Sequence, residues 1–258
     1  MGTLFRKKTE AGSCYYEYES SGLDVSALPL KIREGEKESR SFSVYSQHAE
    51  EYGEWSEYLR RHGCACCSLT LLLGMYCDEY EGIRPERTIS EIERKHFGSE
   101  QWERNYSRKI ADQMPVSQLG ISRILSEEGI PHRYIQKYRP EEAWGEIRAH
   151  LLTGKPVVII ASRIRYKNGL IISINDRKYA GSYHTMVLLG LNRQGKVVFA
   201  DSASRKWAGQ RQRIKEARMA DLMHYMFPVR KKEAKTSYFS GRWDTGGYIL
   251  IDKDPLDK

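Results

Sequence analysis

The sequence contains no long hydrophobic run. No segment approaches the roughly 18 consecutive apolar residues that a membrane-spanning helix requires, so we expect no membrane span. The first residues, MGTLFRKKTEAG, also lack the apolar core of a secretory signal peptide. We therefore expect a cytoplasmic location for the chain as given, or export if a signal peptide has been removed from it.

Cysteine is scarce as well. Five cysteines in 258 residues are too few, and an odd number, for a disulfide framework. Three of them, Cys64, Cys66 and Cys67, fall in one short stretch, HGCACCSLTLLLGMY. A zinc site is an alternative interpretation, but C-x-C-C has no second, separated pair of ligands of the kind that structural zinc sites use. We therefore expect reduced thiols and no bound metal.

Acidic residues are fewer than basic ones. The chain has 34 Asp and Glu against 42 Lys and Arg, which gives a net charge of +8. Such a balance suits an acidic partner, nucleic acid or an anionic membrane surface. However, no aromatic-interleaved nucleic-acid motif accompanies the charge. We therefore interpret the basic clusters at 205–215 and 230–235 as solvated faces, and a nucleic-acid partner is not favoured.

Hydrophobic periodicity predicts helices in the first half of the chain and strands in the second. Leu69, Leu72, Leu73 and Tyr76 repeat at helical spacing, which predicts a central buried helix over 68–80. Further helices are predicted over 89–97, 118–128, 139–153 and 210–227. Strands are predicted over 41–47, 132–136, 156–162, 170–174, 178–180, 184–191, 197–201 and 247–251. Helices followed by antiparallel strands indicate an α+β fold.

The segment before residue 41 has a different character. It contains a short strand-like run, YYEYES, and a charged stretch, IREGEKESRS, that we interpret as a loop. We predict that residues 1–40 form an N-terminal arm and that residues 41–258 form one domain.

The cysteine stretch and the strands together suggest a cysteine hydrolase. Cys64 is predicted to lie at the start of the buried helix, where free N–H groups and the helix dipole stabilise a thiolate. His184 begins one predicted strand and Asp201 ends the next, with the turn 192–195 between them. Two antiparallel strands joined by a short turn place these two residues side by side. A thiolate, an imidazole and a carboxylate that orients it form a nucleophilic triad.

Several motifs, in this order, resemble the bacteriocin-processing-type (double-glycine leader peptidase-like) cysteine peptidase family. Gln47 precedes GCACCSL, in which Cys64 takes the position of the nucleophile because Ser68 and Leu69 then fall in register. The segments that complete the match are LLTGKPV at 151–157, YHTMVLLG at 183–190 and ADS at 200–202.

The resemblance implies a papain-like fold for residues 41–258, with a central buried helix that carries the nucleophile packed on an antiparallel sheet. It implies a catalytic set of Cys64, His184, Asp201 and Gln47. In this set Gln47 and the Cys64 N–H would hold the oxyanion, and the substrate would be a peptide or protein attacked to form a thioester. No metal or organic cofactor is implied.

The chain departs from the family pattern at a few positions. Ala65 and Cys66 replace Gly and Pro after the nucleophile, Tyr183 replaces the Gly before the histidine, and Ser202 replaces the Pro after the aspartate. Three other functions therefore stay open: a non-catalytic peptide-binding module of the same fold, an acyl transferase or deamidase with the same triad, and a basic surface protein that binds nucleic acid or anionic lipid.

Overall fold

A computed structural model describes most of the chain. The residues it describes are 2–19, 27–93, 118–136, 138–162, 164–167, 170–173, 183–203, 213–224 and 247–257. Within these ranges it contains helices and mainly antiparallel sheets, which confirms the predicted α+β class.

The chain opens with a sheet rather than with helices. Its strands are β1 (Gly2–Lys8), β2 (Cys14–Glu19), β3 (Ala27–Glu34), β4 (Lys37–Glu38) and β5 (Phe42–Tyr45). They lie in the order β2-β1-β3-β4, and β5 also pairs with β3. Alternate residues of β3 are buried, as expected for a strand with one face on a core.

Two predictions for this region are corrected. The stretch IREGEKESRS is not a loop, because its first residues end β3 and its middle forms the hairpin strand β4. Gly35 makes the turn with a φ of 58°, which glycine adopts without strain. The predicted order, helices first, is also wrong for this part of the chain. The division into an arm and a domain at residue 40 stays a prediction, and the β3–β5 pairing crosses that boundary.

The central helix is longer than predicted. After a 3-10 turn at Glu50–Trp55, α1 spans Ser56–Tyr76, so it begins well before residue 68. It ends at Tyr76 because Cys77 is extended, with φ −118° and ψ 125°. Its second half is buried throughout, as the leucine repeat predicts.

The other predicted helices agree in part. A short helical turn at Pro85–Arg87 runs into a π-helical turn at Thr88–Glu93, and residues 94–97 of the predicted helix lie outside the described residues. The predicted helices over 118–128 and 139–153 are confirmed as α2 (Gln118–Glu127) and α3 (Pro140–Leu152). Glycines end both: Gly129 has a φ of 68° and Gly154 a φ of 81°.

The larger sheet is antiparallel throughout the described residues. It has the order β12-β11-β10-β7-β13-β6. Its strands are β6 (His132–Ile135), β7 (Val157–Ser162), β10 (Tyr183–Leu191), β11 (Val197–Ala200), β12 (Ile214–Ala217) and β13 (Tyr248–Ile251). Most of these strands were predicted, as was the turn between β10 and β11.

The predicted strand at 170–174 is found as β9 (Leu170–Ser173), which pairs with β8 (Ile164–Lys167). The strand predicted at 178–180 lies outside the described residues. One prediction near the larger sheet needs correction. The predicted helix over 210–227 is wrong, because Ile214–Ala217 joins the sheet as β12; among the described residues 213–224, the helical part is Met219–His224, as α4.

Helices cover both faces of the larger sheet. On one face, Val158, Val187 and Ile249 pack into a core with the leucines of α1 and with apolar residues of the N-terminal sheet. On the other face, Ile159 and Leu188 pack against apolar residues of α3 and α4. The larger sheet is therefore covered on both faces, and α1 packs on one of them together with the N-terminal sheet.

Candidate active site

Cys64 lies inside α1. The thiol is buried, with 8% of the residue exposed. The prediction that this cysteine begins the helix is wrong, because the helix starts at Ser56. The dipole effect is confined to the first turn of a helix and does not reach this position. The Cys64 N–H also falls within the helical hydrogen-bond ladder, so it does not supply a free oxyanion donor.

His184 and Asp201 lie side by side, as the two-strand argument predicted. His184 is on β10, and Asp201 directly follows β11, its antiparallel neighbour. The His184 Nε2 and Asp201 Oδ1 atoms are 2.7 Å apart. A carboxylate at this distance fixes the orientation of the imidazole ring and stabilises its protonated form.

Cys64 lies close to the same imidazole. Burial raises the pKa of the Cys64 thiol, but a hydrogen bond with His184, its charge, and hydrogen bonds with Thr185 lower the pKa below its ordinary value. Burial lowers the pKa of His184, whereas the charge of Asp201, the hydrogen bond with it and the contact with Cys64 raise the pKa to about 10. Both shifts favour a thiolate paired with an imidazolium.

Asp201 has a second cationic partner. Lys215 Nζ donates to Asp201 Oδ2 at 2.6 Å, and the Ala203 N–H donates to Oδ1 at 2.8 Å. Burial raises the pKa of Asp201, but the charges of Lys215 and His184 hold the pKa well below its usual range. The carboxylate is therefore ionised in the folded protein.

Gln47 lies beside the turn of α1 that carries Cys64. Its Nε2 donates to the Arg60 carbonyl at 3.3 Å, and its Oε1 accepts from Ser202 Oγ at 3.0 Å. A Cβ atom added to Gly63 would lie 3.1 Å from the Gln47 Cβ. The absence of a side chain at Gly63 therefore lets Gln47 approach the residue next to Cys64.

The neighbouring cysteines do not join this group. All five cysteines are free thiols. The Cys66 thiol donates to the Pro85 carbonyl at 3.4 Å, and burial raises the pKa of Cys67. Within the described ranges, no group of three or more His, Cys, Asp or Glu side chains is arranged to hold a metal ion.

Two contacts of the site were missed from the sequence. Lys215 lies in a basic cluster that we interpreted as a solvated face, yet only 9% of its side chain is exposed. Thr185 is buried beside Cys64. Lys215 follows the buried Ile214 along β12 and so points to the opposite face of the strand, which favours exposure. The sequence therefore carries no signal for the burial of Lys215.

Comparison with protein families identifies the family of the chain. Residues 40–227 match the model of the Peptidase_C39 like family. The match spans most of the chain, so the chain belongs to this family of cysteine peptidases and their relatives. No curated protein matches the sequence. In the part of the chain that the structure describes, no helix is long and apolar enough to cross a membrane.

Proposed function

We propose that the protein is a papain-like cysteine peptidase in which Cys64, His184 and Asp201 form the catalytic triad. The observation that carries this proposal is the buried contact of 2.7 Å between His184 Nε2 and Asp201 Oδ1, with the Cys64 thiol close to the same imidazole. Membership of the C39-like family supports the same class of reaction.

The proposed reaction has two steps. The Cys64 thiolate attacks the carbonyl carbon of a peptide bond, and the His184 imidazolium gives its proton to the departing amine as the C–N bond breaks. The acyl group is then held as a thioester on Cys64. Neutral His184 takes a proton from water, the resulting hydroxide attacks the thioester, and the carboxylic acid leaves as the thiolate is restored.

The proposed oxyanion donor is the side-chain amide of Gln47. The structure offers no free N–H at Cys64 for this purpose, because that group lies inside α1. The amide of Gln47 is held by Ser202 on one side and by the Arg60 carbonyl on the other. A donor fixed before the reaction stabilises the tetrahedral intermediate without reorganisation.

Selective alkylation tests the activated thiol. Cys77 is more exposed than Cys64, but burial and nearby carboxylates raise the pKa of Cys77 to about 11. At pH 7 we expect iodoacetamide to label Cys64 at least about ten times faster than Cys77, as measured by mass spectrometry of the separate peptides. Accessibility alone predicts the opposite order.

Matched variants connect this reactivity to peptide cleavage. Incubation with a mixed peptide library, followed by mass spectrometry, is expected to give cleavage by the wild-type protein and by Cys66→Ala. The Cys64→Ala variant is expected to give none. Equal cleavage by Cys64→Ala and wild type would remove the proposed nucleophile, and fast Cys64 labelling without any cleavage would favour a peptide-binding module instead.

A further inference from the structure

The fourth charged group of the site is a buried lysine. β12 pairs with β11, which brings Lys215 next to the end of the strand that Asp201 follows. The side chains of Lys215 and Asp201 are 9% and 4% exposed. Each carboxylate oxygen of Asp201 has its own cation: Oδ1 faces His184 and Oδ2 faces Lys215.

We propose that Lys215 is a positioning residue of the active site, which holds the Asp201 carboxylate in place and offsets part of its charge at His184. This inference rests on the proposed function, because it assigns a task to Lys215 within the same triad. The charges then alternate in sign from Cys64 through His184 and Asp201 to Lys215.

The need for a second cation follows from the reaction cycle. His184 is charged before the amine leaves and neutral afterwards. In the neutral stage, a buried carboxylate with His184 as its only partner would have no cation beside it, which is costly in a dry interior. Lys215 keeps Asp201 paired in both stages. Its positive charge also offsets part of the negative charge of Asp201, which limits the rise in the pKa of His184. His184 therefore gives its proton to the amine more readily.

The groups that titrate around Asp201 come from separate elements. His184 faces it from β10 and Lys215 faces it from β12, while Cys64 of α1 interacts with His184. Removal of a positive charge raises the pKa of every nearby group, and the effect is largest for the nearest group. Loss of Lys215 should therefore act more on His184 than on Cys64.

The test is the pH profile of Cys64 alkylation by iodoacetamide. The alkaline limb of this profile reports deprotonation of His184. In Lys215→Met we expect this limb to move up by about one pH unit, and the acidic limb to move up by less. For a peptide that the wild-type protein cleaves, we expect kcat to fall about tenfold with KM unchanged. Lys215→Arg should restore both readouts.

Controls separate this proposal from a purely structural role and from the proposed function. Lys196 is an exposed lysine on the turn before β11, and Lys196→Met removes the same charge without moving the profile. If Lys215→Met does not fold, Lys215→Gln keeps a donor near Asp201 without its charge, and the same upward shift is expected. An unchanged alkaline limb in the folded neutral variant would overturn the proposal. Absence of peptide cleavage by the wild-type protein would instead contradict the proposed function. The two failures are distinguishable, because the alkylation profile tests Lys215 without any peptide substrate.

Discussion

At the scale of single residues, the reactivity of Cys64 depends on its partners rather than on its place in the helix. Cys64 lies well beyond the first turn of α1, so the helix dipole has little effect on the pKa of its thiol. His184 and Thr185 lower the thiol pKa instead. The thiolate therefore depends on contacts between α1 and β10, which form only in the folded protein.

A substitution of Gln47 can distinguish its proposed role as oxyanion donor from an effect on the reactivity of Cys64. Alkylation by iodoacetamide forms no oxyanion, whereas attack on a peptide bond does. We expect Gln47→Ala to lower kcat about 100-fold, the usual cost of one oxyanion donor. The rate at which iodoacetamide labels Cys64 should stay within about twofold of the wild-type rate. Steady-state cleavage and mass-spectrometric labelling measure the two quantities.

Ser202 supplies the companion variant. Ser202→Ala removes the hydroxyl that donates to Gln47 Oε1, so the amide loses one of its two fixed contacts. We expect kcat to change in the same direction but by less than in Gln47→Ala. If both variants slow alkylation as strongly as cleavage, Gln47 acts on the thiol itself and the oxyanion assignment is wrong.

The sequence predicts part of this site because some of its geometry is local. His184 and Asp201 flank a single hairpin, and a short turn leaves little freedom in how its two strands pair. Lys215 reaches the same carboxylate only through the pairing of β12 with β11. A basic residue in a basic segment carries no sign of that pairing, so its burial was not predicted.

At the scale of elements, β10 holds the site together. It pairs with β7 on one side and β11 on the other, carries His184, and has an irregular register between Leu188 and Gly190. Gly190 meets the ring of Tyr16 from the N-terminal sheet, and a Cβ there would lie 2.2 Å from a ring carbon. This close contact fixes the N-terminal sheet against the strand that carries His184.

Two glycine substitutions test this contact. Gly190→Ala is expected to lower the free energy of unfolding by about 1–3 kcal/mol, because the methyl group overlaps Tyr16. Gly145→Ala lies on the exposed side of α3 with nothing within 4 Å, and is expected to raise it by about 0.5–1 kcal/mol through helix propensity. Urea unfolding followed by circular dichroism measures both. Equal effects of the two substitutions would contradict the packing of Tyr16 on β10.

The element predictions failed where tertiary pairing overrides local pattern. The basic segment at 210–227 has the composition of a surface helix, yet Ile214–Ala217 is drawn into the sheet by β11. The start of α1 was placed too late because the residues before the cysteine stretch lack the leucine repeat. Predictions based on burial, such as β7 and β13, succeeded because residues 157–160 and 248–251 are runs of buried hydrophobic residues.

At the scale of the whole molecule, the N-terminal sheet and the end of the chain are joined by a buried ion pair. Arg6 on β1 is 4% exposed in its side chain and donates to both carboxylate oxygens of Asp254, at 2.7 and 2.9 Å. Glu34 on β3 also pairs with Arg6. Tyr16 adds a hydrogen bond of 3.0 Å to the Gly154 carbonyl. The N-terminal segment is therefore packed on the rest of the protein rather than separate from it.

This arrangement predicts that the N-terminal sheet unfolds together with the rest of the protein. Arg6→Met removes a buried cation with two acidic partners, and we expect it to lower the free energy of unfolding by about 2–3 kcal/mol. Lys7, the next residue along β1, forms an exposed pair with Glu17, so Lys7→Met should leave stability unchanged.

The measurement is urea unfolding followed by two signals. One is far-ultraviolet circular dichroism for the whole chain, and the other is the fluorescence of a probe attached at a cysteine introduced in β1 of protein in which Cys14, Cys64 and Cys77 are replaced by alanine. If the sheet and the domain unfold as one unit, the two signals give one midpoint, and Arg6→Met lowers both together. A β1 signal that moves alone would mean that the Arg6–Asp254 pair holds an independently folded arm, with the rest of the protein stable without it.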